Sequence, residues 1–472
     1  MTLESALDRV GELIAATARE HHCPTISWAV AIDGHVVAAE AHGRLADGRS
    51  PSRHTVYRIA SMTKSFTAAT VLALRDEGLL TLDDHLTELA PELASVVGPT
   101  TDAAPITVRH LLSMAAGMAS DDAWADRHLD IDAAALEALL VAGAAFAVDT
   151  GTAFEYSNLG YALLGRIVDR LTGTRVQRHV IDRFLGPLGM DRTTWTRPDH
   201  DDWAPPHEVV GGVAEPDRLE PLADGEIAPM GGLWSTTADL CRWMTWLDDA
   251  TPARDGDDGG PLCRASRREM QQIQRYSCVK LIAGRPAPTG YGFGLMVRED
   301  DVHGRIVGHS GGLPGYGSNM RWIAGRRIGV VALANVKYAP MGELTLRMLD
   351  VLGDHDALPP VAERGGRQSL ADLERFAKLL VDLLAGWTDE AADALFADNV
   401  GLDEPYASRA AAAAELVERM GAIAIDRVVA STSTSASVTV GNGAGATETV
   451  SFDLTPLLPR RIQSYLIGEE AD

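Results

Sequence analysis

Only four cysteines occur in the 472 residues, Cys23, Cys241, Cys263 and Cys278. They show no paired short spacing, which leaves neither a disulfide framework nor a zinc cluster to expect, and reduced thiols in a cytosol fit that pattern. Long hydrophobic runs are also missing: none approaches the roughly 20 apolar residues that a membrane-spanning helix needs. Positive charge is scarce, with 42 Lys and Arg against 66 Asp and Glu and a formal net charge of -24. That balance opposes phosphate backbones and anionic lipid, so neither nucleic acid nor a membrane surface is an expected partner. The first ten residues, Met1 to Val10, lack the basic start and apolar block of a secretion signal, and a cytoplasmic location is the expectation. No glycine-rich loop carries the Walker or dinucleotide pattern and no metal-ligand spacing emerges, so no nucleotide cofactor and no metal are expected. Internal repeats of 20 to 50 residues are absent as well.

What is present is an ordinary globular composition, 46% apolar and 23% charged, in a chain too long for one growing core. A helix is expected from Leu3 to Glu20, then a hairpin of Ile26–Ile32 and His35–Ala39 joined by Asp33-Gly34. Helical periodicity dominates from about Ser61 to Met244 and suggests a helical lobe spanning about 65–290. Strand patterns return at Gly304–His309, Ser318–Ile323 and Ile328–Ala334, followed by a helix from Met341 to Leu352. The expected class is α/β (α+β): an antiparallel sheet covered by helices, with a helical lobe. Asp255–Gly260 and 358–368 read as exposed linkers, the second dividing a domain at 1–357 from an accessory domain at 369–472. Helices over Leu370–Leu384, Asp389–Phe396 and Ala410–Met420, then strands near Ser437–Val440 and Glu448–Leu454, make that accessory domain a small α+β unit.

Three segments carry chemistry. In Tyr57-Arg58-Ile59-Ala60-Ser61-Met62-Thr63-Lys64, Ser61 and Lys64 stand three apart at a helix start and share a face. A lysine takes a serine proton only when neutral, which calls for burial or nearby positive potential. In Phe154-Glu155-Tyr156-Ser157-Asn158, Tyr156 is a candidate acid or base whose phenolate a neighbouring Lys64 would favour, and Asn158 can bond both Lys64 and a substrate amide. In Val307-Gly308-His309-Ser310-Gly311-Gly312, a strand ends in glycines that let backbone approach a substrate. The N–H groups of Ser61 and Gly312, with Gly311 beside them, would form the donor pair for a tetrahedral oxyanion.

Taken in order, Ser61-x-x-Lys64, Tyr156-x-Asn158 and His309-x-Gly311 resemble the motifs of the penicillin-recognising serine enzymes: class C β-lactamases, D,D-carboxypeptidases, D-aminopeptidases and related esterases. The resemblance extends into Ile106–Ser113 and Pro229–Leu240 and covers about residues 1 to 355. It implies a β-lactamase/transpeptidase-like fold and acyl-enzyme chemistry at Ser61, on an ester, thioester or amide, with a bias toward peptides containing D-amino acids. His309 stands where β-lactamases and D,D-peptidases usually carry lysine, which removes a fixed cation and makes efficient β-lactamase activity doubtful. An imidazole there is expected to titrate in the working pH range and to act as a hydrogen-bond partner beside Ser61. The substrate expected is a small molecule or peptide, which a carrier protein could deliver. Two other readings share the scaffold: a penicillin-binding-protein-type thioesterase that macrocyclises and releases nonribosomal peptides, and an inactive binding or sensor module. The accessory domain resembles NTF2-like or lipocalin-like appendages, and its Arg460 and Arg461 are candidates to meet a substrate carboxylate.

Overall fold

Thr2 accepts a hydrogen bond from the Ser5 N–H and caps helix α1 (Leu3–Glu20), whose Ala6, Val10, Leu13, Ile14 and Ala18 recur on one buried face. The computed structural model describes residues 2–218, 221–256, 258, 260–282, 284–354 and 367–468. It divides into two compact units, one of Met1–Thr251 with Gly256–Val361, the other of Ala362–Asp472 with Pro252–Asp255.

The first unit is built on an eight-stranded antiparallel sheet of β1 (Thr25–Ile32), β2 (His35–Gly43), β3 (Arg275–Ile282), β4 (Arg285–Tyr291), β5 (Met296–Asp300), β6 (Gly304–Leu313), β7 (Tyr316–Ile323) and β8 (Ile328–Ala334). The strand order is β2-β1-β8-β7-β6-β5-β4-β3. Strands from the two ends of the unit meet at the centre, where Val30 pairs with Val330. The central strand β8 is buried along its whole length, as a near-continuous apolar run requires when both faces are covered. Its alternation still sorts the two faces: Val331 and Leu333 join the core under the helical lobe, whereas Ile328, Val330 and Ala332 join the core under two terminal helices.

The principal lobe helices are α2 (Lys64–Asp76), α3 (Asn158–Thr172) and α4 (Thr237–Asp248), while α5 (Met341–Asp354) lies with α1 on the other face. Helix α2 is buried at every position from Lys64 to Leu74 and so runs through the core rather than along a surface. Phe66 stacks on Trp243 of α4 at 3.9 Å between centroids, and Trp243 Nε1 donates to Ser65 Oγ at 3.0 Å. These contacts fix the helix that carries Lys64.

The helical lobe is shorter than the expected 65–290, because Arg275–Tyr291 forms β3 and β4 and extends the sheet. Pro286, Pro288 and Gly290 break the apolar alternation of β4, and β3, at the sheet edge, exposes much of its length. The run Asp255–Gly260 is less of a linker than expected: Asp258 pairs with the buried Arg267 at 2.5 Å. Residues 257 and 259 of that run, and 358–366 of the second expected linker, lie outside the described residues.

The second unit holds α6 (Arg367–Ala385), α7 (Asp389–Leu395) and α8 (Tyr406–Met420), then an antiparallel meander of β9 (Ala424–Ala430), β10 (Ser435–Gly441), β11 (Thr447–Leu454) and β12 (Ile462–Ile467). Leu380, Val438, Val450, Phe452 and Ile462 belong to its own core. The outer strands β9 and β12 gave no pattern in the sequence, since each exposes alternate or successive residues at a sheet edge. Helix α6 takes in residues 367 and 368, which the sequence had suggested as linker. Arg461 donates to the Asp393 and Phe396 carbonyls at 2.6 and 2.9 Å, which ties it into this unit.

Candidate active site

Tyr57–Arg58 pairs with Trp234–Ser235, and the Ile59 N–H donates to the Leu233 carbonyl at 3.0 Å. The chain then turns through a 3₁₀ turn, Ala60–Thr63, directly into α2. Ala60 adopts φ +49°, a left-handed conformation that L-residues rarely take, and this strain sits one residue before Ser61. Ser61 is part-exposed at the helix entrance, while Lys64, one turn on, is fully buried.

Lys64 Nζ lies 3.0 Å from Ser61 Oγ, 2.7 Å from Asn158 Oδ1 and 2.8 Å from the Met230 carbonyl. The last two atoms can only accept. Asn158 Nδ2 donates to Asp122 Oδ1 at 2.7 Å, which fixes the amide so that its oxygen faces the lysine. A neutral amine has two N–H donors, and these two acceptors take both, so its lone pair is left facing Ser61. Burial pushes the Lys64 pKa down to about 7, outweighing the carboxylates of Asp122, Asp121 and Asp126, which act in the opposite direction. Asn158 is the first residue of α3 rather than part of the preceding loop; Ser157 is its cap, accepting from the Gly160 N–H.

Tyr156 lies just before that cap, its ring centroid 5.0 Å from Lys64 Nζ. Burial holds its phenol well above the usual range, although a hydrogen bond with the Ser61 side chain acts to lower it. The expected phenolate is therefore corrected: its own burial outweighs the hydrogen bond with Ser61, and Tyr156 is a protonated phenol.

The third segment lies on β6. A Cβ on Gly311 would stand 2.3 Å from the Ile59 carbonyl oxygen and 2.4 Å from Ser318 Oγ, so only glycine allows β6 to press against the turn bearing Ser61. A Cβ on Gly312 would meet the Tyr338 ring at 2.4 Å. This packing brings the end of β6 beside the Ser61 turn. His309 does not behave as its reference chemistry suggested. Its Nδ1–H donates to the Ser310 carbonyl at 2.5 Å, and its Nε2 accepts from the Tyr291 hydroxyl at 2.9 Å. Burial first, then the charge of Lys64, lower its pKa to about 3, so it is neutral across the working range and does not titrate there. Its ring lies 6.4 Å from that of Tyr156, and its bonded partners are Tyr291 and Ser310 rather than Ser61.

Ser61, Lys64, Tyr156, Asn158, His309, Gly311 and Gly312 thus fall in one region, but the sequence missed the residues that set their states. Asp121 accepts from the Asn158 and Leu159 N–H groups at 2.7 and 2.8 Å. Asp122 orients Asn158, Met230 receives the second lysine N–H, and Tyr291 holds His309. Asp126 hydrogen-bonds the Tyr338 hydroxyl, and burial raises its pKa to about 6. The one available signal was Met230, inside the Pro229–Leu240 segment that had already marked the family.

The model of a family described as Beta-lactamase matches residues 10–355. The chain belongs to the beta-lactamase family. Its relatives place it among the penicillin-recognising serine enzymes. Penicillin-binding protein 4 of Amycolatopsis lactamdurans is 28% identical over 341 residues, 69% of this chain and 84% of that protein. Protein flp of Staphylococcus aureus (strain MW2) is 24% identical over 343 residues, 70% of this chain, and the match spans 64% of that protein's length. Two solved structures share the beta-lactamase fold at low identity. The octameric penicillin-binding protein homologue from Pyrococcus abyssi has a TM-score of 0.64 at 20% identity, covering 96% of this chain and 91% of that one. EstCE1, a hydrolase with promiscuous acyltransferase activity, has a TM-score of 0.62 at 21% identity, covering 74% of this chain and 99% of that one. As in the beta-lactamase family generally, the fold is that of a serine hydrolase. Among the described residues no helix is long and apolar enough to cross a membrane.

Proposed function

We propose that this protein forms an acyl-enzyme at Ser61 from an ester, thioester or amide and passes the acyl group to water or to an amine. One observation carries this reading: Ser61 Oγ stands 3.0 Å from a lysine amine whose pKa is about 7 and whose two N–H groups are both engaged elsewhere. Lys64 takes the Ser61 proton as the oxygen attacks the carbonyl carbon, and the negative oxygen that results is held by the N–H groups of Ser61 and Gly312. Tyr156, protonated, gives its proton to the departing oxygen, sulfur or nitrogen as the carbon–leaving-group bond breaks, and the proton on Lys64 restores the phenol. A second pass with water releases the acid. His309 keeps Tyr291 and the end of β6 in place.

The proposed donors are neutral or amine-bearing, with peptides containing D-amino acids first among them. His309 is neutral and Asp121, Asp122 and Asp126 surround Lys64, so a penicillin carboxylate finds little positive potential. That a structural neighbour is described as a hydrolase with promiscuous acyltransferase activity fits water and amines as competing acceptors. The test is intact-mass analysis after incubation with p-nitrophenyl esters, peptidyl thioesters and D-amino acid amides, in the native protein and in Ser61→Ala. An adduct on the native protein alone is expected. Failure of all three classes to leave one, or undiminished labelling of Ser61→Ala, would sink the proposal.

A further inference from the structure

Along β6, Ile306, Gly308 and Ser310 alternate with Val307 and His309, and along β7, Asn319 and Arg321 alternate with Ser318 and Met320. Ser318 donates to the Ile59 carbonyl on the Ser61 side, whereas Asn319 bonds Thr345 of α5 and Ile306 packs in the core beneath α1 and α5. Arg321 and Ile306 therefore belong to the face of the sheet turned away from Ser61. Between this face and the first turns of α5 lies a cavity of about 330 Å³, with Lys280, Met296, Arg298, Ile306, Arg321 and Leu346 in its walls.

The hydrogen-bond donors in this cavity are not all matched. Arg298 is neutralised by Asp300 through its Nε at 3.1 Å and Nη2 at 2.7 Å. Arg321 has no such partner: among the described residues its guanidinium meets one acceptor, the Gly342 carbonyl at 3.3 Å, and its buried Nε–H meets none. Burial and the neighbouring Arg298 push its pKa down to about 9 against the opposing charge of Asp350, a carboxylate that does not hydrogen-bond it. Lys280 and Glu343, both exposed, are of opposite sign, so what distinguishes Arg321 in the wall is its unused N–H donors rather than a net charge. A buried N–H donor left without an acceptor is costly, and a bound carboxylate would remove that cost. The walls also fix what kind of anion fits. A single guanidinium with unused donors beside Met296, Ile306 and Leu346, and with carboxylates near by, suits one carboxylate on an apolar body better than a compact dianion.

We propose that this cavity is a second binding site, on the face of the sheet opposite Ser61, for a small organic monocarboxylate. Its carboxylate pairs with Arg321 and its body lies against Met296, Ile306 and Leu346. The site is independent of the acyl-transfer reading, since none of these side chains takes part in that chemistry. The experiment is calorimetric titration of the full chain with benzoate, with benzamide and inorganic phosphate as comparison probes at matched ionic strength. Benzoate should bind with one-to-one stoichiometry, in the native protein and equally in Ser61→Ala, and at least tenfold more tightly than benzamide or phosphate. Arg321→Met should weaken benzoate at least tenfold while ester hydrolysis stays unchanged. Leu346→Glu, which offers the guanidinium a carboxylate from the chain itself, should exclude benzoate and raise the melting temperature, a readout that remains if Arg321→Met fails to fold. No benzoate binding by the native protein, equal binding by Leu346→Glu, or phosphate bound in preference to benzoate would overturn the proposal.

Discussion

Asn158 Oδ1 and Lys64 Nζ lie 2.7 Å apart, with the orientation of the asparagine set by Asp122 on its other side. Through this contact a carboxylate that never touches Ser61 decides where the lysine lone pair points. Acylation should consequently follow the neutral form of Lys64, rising with pH through an apparent pKa of about 7. His309, depressed to about 3, should contribute no limb between about pH 5.5 and 9, a window around the imidazole reference. Burst-phase acylation by a neutral ester across that window tests the assignment. The limb should persist in a His309 variant that still acylates, whereas Lys64→Ala should lose about 10²–10⁴ in rate. A limb that vanished with His309 would return the imidazole to the chemistry.

Asp126 is one of three carboxylates that hold the lysine pKa up against burial. Asp126→Asn removes that charge while keeping a hydrogen-bond partner for Tyr338. The Lys64 pKa should fall, and the acid limb of acylation should shift to lower pH, with Tyr338→Phe moving it much less. An unmoved limb in Asp126→Asn would mean that solvent screens this carboxylate from the lysine.

The same burial has a thermodynamic sign. Lys64 drops from 10.5 to about 7 on folding, so between those values the unfolded chain carries a proton that the native protein lacks. Stability should rise with pH across that window and be lowest below about 7, where folding must bury the charge. Lys64→Met should be more stable than the native protein at pH 6, with the difference shrinking toward pH 10. The loss of donors to Asn158 and Met230 offsets part of that gain. Chemical denaturation at several pH values measures it, and a pH-independent difference between the two proteins would contradict the buried-charge account.

Legibility in the sequence followed the range over which each feature is encoded. Helix α1 and strands β1, β7 and β8 were readable because their patterns are local: a cap and a repeating apolar face, or an apolar run between turns. Ser61 and Lys64 were readable for the same reason, three residues apart on one helix. The protonation states were not. Asp122 reaches Asn158 across 36 positions, and the Tyr291–His309 bond joins two strands separated by β5, so no spacing rule announces either. The neighbouring lysine pointed the wrong way for Tyr156, and the reference pKa for His309, because the dominant influence on both is burial, a property of the folded packing. Strands β3 and β4 were hidden by prolines and exposed edge residues, and β9 and β12 by the mixed exposure of edge positions.

Gly311 offers the most direct test of how the sheet positions the nucleophile. In Gly311→Ala the new methyl carbon would lie 2.3 Å from the Ile59 carbonyl oxygen, 2.4 Å from Ser318 Oγ and 3.0 Å from Ala60 Cβ. Ser318 can rotate away, but the Ile59 carbonyl is backbone and the left-handed Ala60 leaves little slack. The strand or the Ser61 turn must therefore move. Overpacking of this kind costs about 1–3 kcal/mol, which should appear as a lower denaturation midpoint with the slope unchanged. Displacement of the Gly312 N–H relative to the Ser61 N–H should lower the acylation rate about 10²-fold or more, as loss of an oxyanion donor does. Gly308→Ala serves as the comparison. Its methyl would also strike backbone, the Met320 carbonyl at 2.3 Å, but away from the Ser61 turn, so it should lose stability to a similar degree while acylation falls far less. Equal losses of rate in the two variants would show that the close approach of β6 to Ile59 serves stability alone, and that Gly312 does not supply the second donor.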